Sequence, residues 1–173
     1  MNNVDFDRQT LPAVWQEHAH AEFVLKDADA ALATMAEDPY VLCVPSGMAA
    51  FGRAEVRNFY ARQFLRCIPP DFKLASVSQV FSGQRLVEKF VVRFTHTLGM
   101  DWMLPELAPT GRKVEFALVA TVGFQGGKIA HEHISWDQVA VLSQLGVLGH
   151  PAARAGVVSA ARLLRLSEGF GIC

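Results

Sequence analysis

Hydrophobic residues recur at helical spacing through the first third of the chain. Leu11 to Lys26 predicts a first helix, with one apolar stripe along its length. Asp27 is placed to cap a second helix, Ala28 to about Ala36, because its short side chain can accept hydrogen bonds from free backbone N–H groups. The pattern then predicts a short strand from Tyr40 to Val44 and a third helix from Arg53 to Arg66.

Further along, the spacing changes to period two, which is typical of strands because successive side chains point to opposite faces. The inward face of each strand is the one richer in large apolar groups. The alternation predicts four strands, at Phe72–Phe81, Leu86–His96, Lys113–Phe124 and Lys128–Asp137.

The remaining segments predict connections and short helices. The loop from Leu98 to Arg112 holds two prolines and two glycines, and it leaves Met100 and Trp102 looking exposed. It fits either a lid over a pocket or a packed connection anchored by Trp102. A short helix from Gln138 to Leu145 should close the sheet, and the tail contains a further helical pattern at Val157–Leu166.

The turn before the last strand decides which of its residues point inward. If the turn is centred on Gly126, Ala120 lies opposite Glu132 and Phe116 lies opposite Trp136, because opposed residues of an antiparallel pair share a face. Glu132 and Trp136 then face the interior.

A strict two-residue turn at Gly126-Gly127 would reverse this parity and bring His131 and His133 inside. The first register is preferred because it buries Ile134 and Trp136 together. The two histidines are then expected on the outer, convex face.

The inward positions include five ionisable side chains in otherwise apolar surroundings: His18, Glu22, Glu88, His96 and Glu132. Burying an ionised carboxylate without a partner costs several kcal/mol of folding free energy, so each one must be paired, protonated or hydrated. Burial without a partner raises the pKa of a carboxyl group towards neutrality, as a general base requires.

Composition limits the class of protein. With 173 residues, 51% hydrophobic and 19% charged, the chain is long enough for one domain with a full core. The formal net charge of −1 and the scattered Lys and Arg residues disfavour nucleic acid as a partner. The cysteines Cys43, Cys67 and Cys173 match neither a zinc site nor a redox pair. No apolar run suits a membrane span, no secretory signal is recognisable, and a cytoplasmic location is expected.

Three segments carry a resemblance to a known family. His96 in FTHT, the segment PTGRKVEF from Pro109 to Phe116, and GGKIAHEHISWDQVAVLSQLG resemble SnoaL-like proteins, the polyketide-cyclase branch of the nuclear transport factor 2-like superfamily. The resemblance implies an α+β fold, a cone-shaped barrel of curved antiparallel sheet with N-terminal helices on its concave face. It assigns 1–148 to the SnoaL-like domain and 149–173 to a partly helical tail, belonging to the same domain or reaching a neighbouring subunit.

The sequence departs from the cyclase pattern at the catalytic positions. Matched from the turn to the final QLG, the family's catalytic aspartate falls on Ile134, and the polar partners expected on the preceding strand fall on Leu118 and Ala120. The resemblance therefore implies the fold, a pocket and a small, mostly apolar substrate, but not the cyclase mechanism.

The favoured hypothesis is a proton-transfer enzyme, of isomerase, cyclase, dehydratase or hydrolase type, acting on a hydrophobic carbonyl-like compound. Glu132 or Glu88 would be the base, and His96 or His18 the acid or hydrogen-bond donor. No organic cofactor and no metal are expected. The predicted substrate-binding residues are Glu22, Tyr60, Trp102, Phe90, Phe116, Leu118, Ile134 and Trp136.

Two alternatives stay open. In a non-catalytic binding or dimerisation module the polar groups would satisfy one another, and the cone would be filled. A metal site could instead use His18, Glu22, Glu88, His96 and Glu132 as mixed ligands. In either case, the partly apolar convex face, with Val87, Val91, Val119 and Thr121, predicts a homodimer.

Overall fold

The computed structural model describes residues 10–148, and the predicted tail, with its helix at Val157–Leu166, lies outside them. Two of the helices continue beyond their α-helical part, through π-helical turns at Ala21–Leu25 and Phe59–Phe64, the second ending in a 3₁₀ turn at Leu65–Cys67. The elements of the described part are α1 (Thr10–His20), α2 (Ala28–Ala33), β1 (Met35–Cys43), β2 (Met48–Phe51), α3 (Gly52–Asn58), β3 (Lys73–Ser82), β4 (Arg85–Thr95), β5 (Lys113–Gln125), β6 (Lys128–Trp136) and α4 (Gln138–Gln144).

The first two helices meet at a sharp turn. Lys26 adopts a left-handed conformation with φ of 52°, and the predicted cap Asp27 accepts hydrogen bonds from the N–H groups of Asp29 at 2.8 Å and Ala30 at 3.1 Å. The second helix ends at Ala33, earlier than predicted, because Met35 already pairs with Ile129 of β6.

The six strands form one curved sheet in the order β2-β1-β6-β5-β4-β3. The neighbouring strands are antiparallel except β1 and β6, which are parallel. Strands β2 and β3 are the two edges, so the sheet does not close into the predicted barrel. The four-residue strand β2 was not predicted from the sequence, because it is too short to show an alternating pattern.

The hairpin between β5 and β6 corrects the predicted register but keeps the predicted faces. Gln125 pairs with Lys128 and Phe124 with Ile129, so Gly126-Gly127 is a two-residue turn. The next pair is Gly123 with His131, which leaves Ala130 as an unpaired bulge residue.

The bulge restores the parity that the two-residue turn inverts. Glu132 lies opposite Val122, not Ala120, and Trp136 lies opposite Leu118, not Phe116. Glu132 is 3% exposed and therefore points inward, as predicted. In the neighbouring pair of strands, Val114 of β5 lies opposite Phe94 of β4.

The bulge also brings the His131 ring over the backbone of Gly123. A Cβ at Gly123 would collide with the His131 ring, which is stacked on Tyr40 with 5.0 Å between ring centroids. Gly123→Ala is therefore expected to lower the free energy of unfolding by about 1–3 kcal/mol, because the ring must leave its stack. Urea unfolding of the purified variant measures this change.

Two controls test the cause of that loss. Gly99→Ala, where an added Cβ meets nothing within 4 Å, should change stability by less than about 0.5 kcal/mol. In an His131→Ala background the cost of Gly123→Ala should largely vanish, because the colliding ring is absent. An unchanged cost in the double variant would contradict the steric explanation.

The loop between β4 and β5 is a packed connection. Met100 and Trp102, which looked exposed in the sequence, are 0% and 4% exposed. The Trp102 ring packs edge-on against Phe64 at 5.0 Å and against Trp136 at 6.0 Å between centroids. Among the helices of residues 10–148, none has the length and apolar character needed to cross a membrane.

Candidate active site

A pocket of about 430 Å³ lies between the helices and the inward face of the sheet. Its wall combines aromatic and aliphatic side chains with three carboxyl groups, those of Glu22, Glu88 and Glu132. The wall also includes Trp15, Phe23, Cys43, Phe59, Tyr60, Phe64, Phe72, Ser76, Gln79, Phe90, Trp102, Leu118 and Ile134.

His18 of α1 connects the helices to this carboxylate group. The side chain is 0% exposed, and its Nδ1 lies 2.7 Å from Thr34 Oγ1 and 3.2 Å from the carbonyl oxygen of Ala31. Thr34 gives its own hydroxyl proton to that carbonyl oxygen at 2.7 Å. Among the described residues, Nδ1 therefore meets only acceptors, so this nitrogen carries a proton.

The other ring nitrogen of His18 faces two carboxyl groups. Nε2 lies 3.0 Å from Glu132 Oε1, 3.3 Å from Glu22 Oε1 and 3.2 Å from the Tyr60 hydroxyl. The Tyr60 hydroxyl donates to Glu132 Oε1 at 2.9 Å, so its oxygen is free to accept. Both nitrogens of His18 thus act as donors, which identifies the ring as an imidazolium.

The surroundings shift the pKa values of Glu132 and Glu22 in opposite directions. Burial acts to raise the pKa of Glu132, but the charge of His18 and hydrogen bonds from His18 and Tyr60 outweigh it and lower that pKa. Burial raises the pKa of Glu22, against the smaller opposing effect of His18. Glu132 is therefore held as an anion, whereas Glu22 is the carboxyl group that retains its proton more readily.

The charges of Glu22 and Glu132 also shift the pKa values of the neighbouring His18, Tyr60 and Cys43. Burial acts to lower the pKa of His18, yet Glu132 and Glu22 together raise it well above 6.5. Burial and the two carboxyl groups raise the pKa of Tyr60, so the phenol keeps its proton. Burial and the same two carboxyl groups raise the pKa of Cys43 to about 12, which leaves this pocket thiol uncharged and a poor nucleophile.

Glu88 forms a separate polar centre of the pocket. Its Oε2 accepts hydrogen bonds from Trp15 Nε1 at 2.6 Å and Gln79 Nε2 at 3.0 Å, and its Oε1 accepts one from Ser76 Oγ at 2.6 Å. These three donors are neutral. Glu88 and Glu132 project from strands that are separated by β5.

The predicted substrate-binding residues divide into two groups. Glu22, Tyr60, Trp102, Phe90, Leu118 and Ile134 line the pocket, whereas Phe116 and Trp136 are buried elsewhere in the core.

His96 does not join the candidate site. It is buried just beyond the end of β4, where its Nδ1 lies 3.3 Å from Thr110 Oγ1 and from the backbone nitrogen of Thr110. His131 and His133 are half-buried beside Tyr40 on the outer side and do not line the pocket, as predicted.

Sequence reasoning missed four polar partners. Trp15, Thr34, Ser76 and Gln79 each hydrogen-bond an ionisable group of the site. A signal existed only for Trp15, which lies on the same helical stripe as His18 and Glu22 and stacks on His18 at 5.9 Å. The other three belong to elements whose packing the sequence does not specify.

The group of His18, Glu22 and Glu132 could also hold a divalent metal. One ligand atom from each lies within 4.8 Å of the others, and one histidine with two carboxylates suits zinc, manganese or iron. As the atoms lie, His18 Nε2 is directed at the carboxylate oxygens and its proton occupies the space between them. Elemental analysis of the purified protein distinguishes the two arrangements.

An α+β fold with a curved six-stranded sheet, helices on one face and a pocket between them defines the nuclear transport factor 2-like class. Residues 13–145 match the SnoaL-like polyketide cyclase family, and the chain belongs to that family. No match was found among curated proteins.

Solved structures at low sequence identity share the fold. A putative SnoaL-like polyketide cyclase from Jannaschia sp. CCS1 is 15% identical, with a TM-score of 0.65, over 86% of this chain and 99% of that chain. An NTF2-like protein of unknown function from Burkholderia pseudomallei is 20% identical, with a TM-score of 0.61, over 79% of this chain and 97% of that chain. A hypothetical protein from Catenulispora acidiphila, in complex with trimethylamine, is 16% identical, with a TM-score of 0.59, over 79% of this chain and 95% of that chain.

Proposed function

We propose that the chain is an enzyme that transfers protons on a hydrophobic carbonyl compound bound in the pocket. Glu132 would be the general base because it is the carboxyl group that stays ionised, although its pKa is lowered and not raised towards neutrality as expected for an unpartnered buried carboxyl group. Glu22 would be the general acid. His18 and Tyr60 would position Glu132 and keep it charged. The single observation that carries the proposal is the placement of two pocket carboxyl groups around one imidazolium, with His18 Nε2 3.0 Å from Glu132 Oε1 and 3.3 Å from Glu22 Oε1.

The free atoms of the two carboxyl groups suit these roles. Among residues 10–148, the hydrogen bonds to Glu132 reach its Oε1, which leaves Oε2 to accept a proton from a substrate carbon. The electrons of the broken C–H bond would move to the carbonyl oxygen. Glu22, which lines the same pocket, would donate its proton to that oxygen.

The active carboxylate differs from the one that the cyclase pattern implies. The aspartate position of the cyclase pattern is Ile134, whose side chain lines the pocket but cannot transfer a proton. Glu132 precedes it by two residues on β6 and therefore projects from the same face. Proton transfer of this kind is a step shared by isomerases, cyclases, dehydratases and hydrolases.

The alternative of a non-catalytic module whose polar groups satisfy one another has less support. That reading expects a filled cone, whereas Glu22, Glu88 and Glu132 border a pocket of about 430 Å³. A homodimer through the convex face and a cytoplasmic location stay predictions.

Deuterium exchange tests the proposal without knowledge of the natural substrate. The protein would be incubated in D₂O with a panel of cyclic and bicyclic aryl ketones, beginning with alpha-tetralone, and deuterium at the carbon beside the carbonyl would be measured by NMR. Incorporation above the buffer rate is expected, because enolisation requires only the base and the acid. Exchange at the buffer rate with every ketone would contradict the proposal.

A further inference from the structure

We propose that Glu88 is the binding subsite for a protonated amine, so that the pocket takes an apolar ligand carrying an ammonium group. The subsite lies apart from the acid-base group, on β4 instead of β6. The inference rests on the proposed function only in taking the pocket as the ligand site.

The first argument is the hydrogen bonding of Glu88. Trp15, Ser76 and Gln79 all donate to it, so both of its oxygens act as acceptors, as in an ionised carboxylate. Oε2 accepts two of these bonds and Oε1 accepts one. Within residues 10–148, one acceptor position of Oε1 therefore stays available for an N–H group of a ligand.

The second argument is the lack of a compensating charge. None of the ion pairs within residues 10–148 includes Glu88, although its side chain is buried and only 5% exposed. Among the described residues that line the pocket there is no Lys, Arg or His, while three carboxyl groups are present. A buried anion held only by neutral donors is best complemented by a cation from outside.

The third argument is the aromatic wall. Eight of the lining residues are aromatic: Trp15, Phe23, Phe59, Tyr60, Phe64, Phe72, Phe90 and Trp102. Phe90 lies two residues from Glu88 on the same strand face, and Trp15 touches the carboxylate directly. Ring faces attract an ammonium group, and the rings also favour the apolar body to which it is attached.

A matched pair of probes tests the subsite by binding alone. The 2-phenylethylammonium ion and n-propylbenzene have nearly the same shape and differ in charge. Calorimetric titration is expected to give tighter binding of the ammonium ion, and Glu88→Gln should weaken that binding by about ten-fold or more. The affinity for n-propylbenzene should stay within about two-fold, because its contacts are apolar.

The controls separate this subsite from a general effect of charge or packing. Glu115→Gln, on the outer face of the neighbouring strand, should leave both affinities unchanged. Equal affinities of the two probes in the unchanged protein, equal weakening of both by Glu88→Gln, or binding of neither would overturn the proposal. So would loss of ammonium binding in Glu132→Gln but not in Glu88→Gln. Because no reaction is measured, a failure of proton transfer would leave this test unaffected.

Discussion

Replacement of Glu132 by glutamine is expected to reduce enzyme-catalysed deuterium exchange by about 100- to 10,000-fold. The amide keeps the shape of the side chain but cannot accept the proton from the substrate carbon. The neighbouring His18 and Tyr60 can still donate to the amide oxygen, so the fold should persist. NMR measurement of exchange rates, together with urea unfolding, separates loss of chemistry from loss of structure.

Glu22→Gln is expected to change the pH profile of the same reaction. With both carboxyl groups present, exchange requires Glu132 ionised and Glu22 protonated, which predicts a bell-shaped profile. Its acid limb follows the lowered pKa of Glu132, below 4.5, and its alkaline limb follows the raised pKa of Glu22, above 4.5. In Glu22→Gln the rate should fall and the alkaline limb should disappear, because the amide does not titrate.

The control is Glu17→Gln, an exposed glutamate on the same helix as His18. It should retain the rate and the profile of the unchanged protein. Full activity in a folded Glu132→Gln variant would show that the base lies elsewhere, with Glu88 as the next residue to replace.

The inward faces of the strands could be predicted because large apolar side chains recur at every second position along much of β4, β5 and β6. This reasoning placed Glu88 and Glu132 in the interior, and helical spacing did the same for His18 and Glu22. The hairpin shows the limit. A two-residue turn followed by a bulge at Ala130 gives the same parity as a turn centred on Gly126, so the faces were predicted correctly from a register that was wrong by two residues.

The division of roles within the site could not be predicted, because it depends on contacts between distant elements. Glu22 lies one turn from His18 on the same helix, whereas Glu132 reaches His18 only because α1 packs against β6. Glu88 and Glu132 were equivalent candidates in the sequence. The folded chain distinguishes them by their partners. Glu88 accepts hydrogen bonds from the neutral side chains of Ser76, Gln79 and Trp15, whereas Glu132 pairs with the imidazolium of His18.

His18→Asn is expected to lower the free energy of unfolding by about 3–5 kcal/mol near neutral pH. The substitution removes the cation that compensates Glu132 and also disturbs the hydrogen bonds to Thr34 and Ala31. A buried anion left without its partner accounts for most of this cost. Urea unfolding measures it, and His20→Asn, an exposed histidine of the same helix, should cost less than about 0.5 kcal/mol.

The pH dependence of this loss distinguishes an ion pair from simple packing. Because the folded-state pKa of His18 is raised, its stabilisation is complete below 6.5 and is lost as the pH rises through the raised value. Because the pKa of Glu132 is lowered, its stabilisation is complete above 4.5 and is lost as the pH falls through the lowered value. The stability difference between the unchanged protein and His18→Asn should therefore be largest between about pH 4.5 and 6.5 and shrink on both sides. A difference that stays constant from acidic to alkaline pH would assign the cost to packing alone, and would remove the imidazolium from the proposed mechanism.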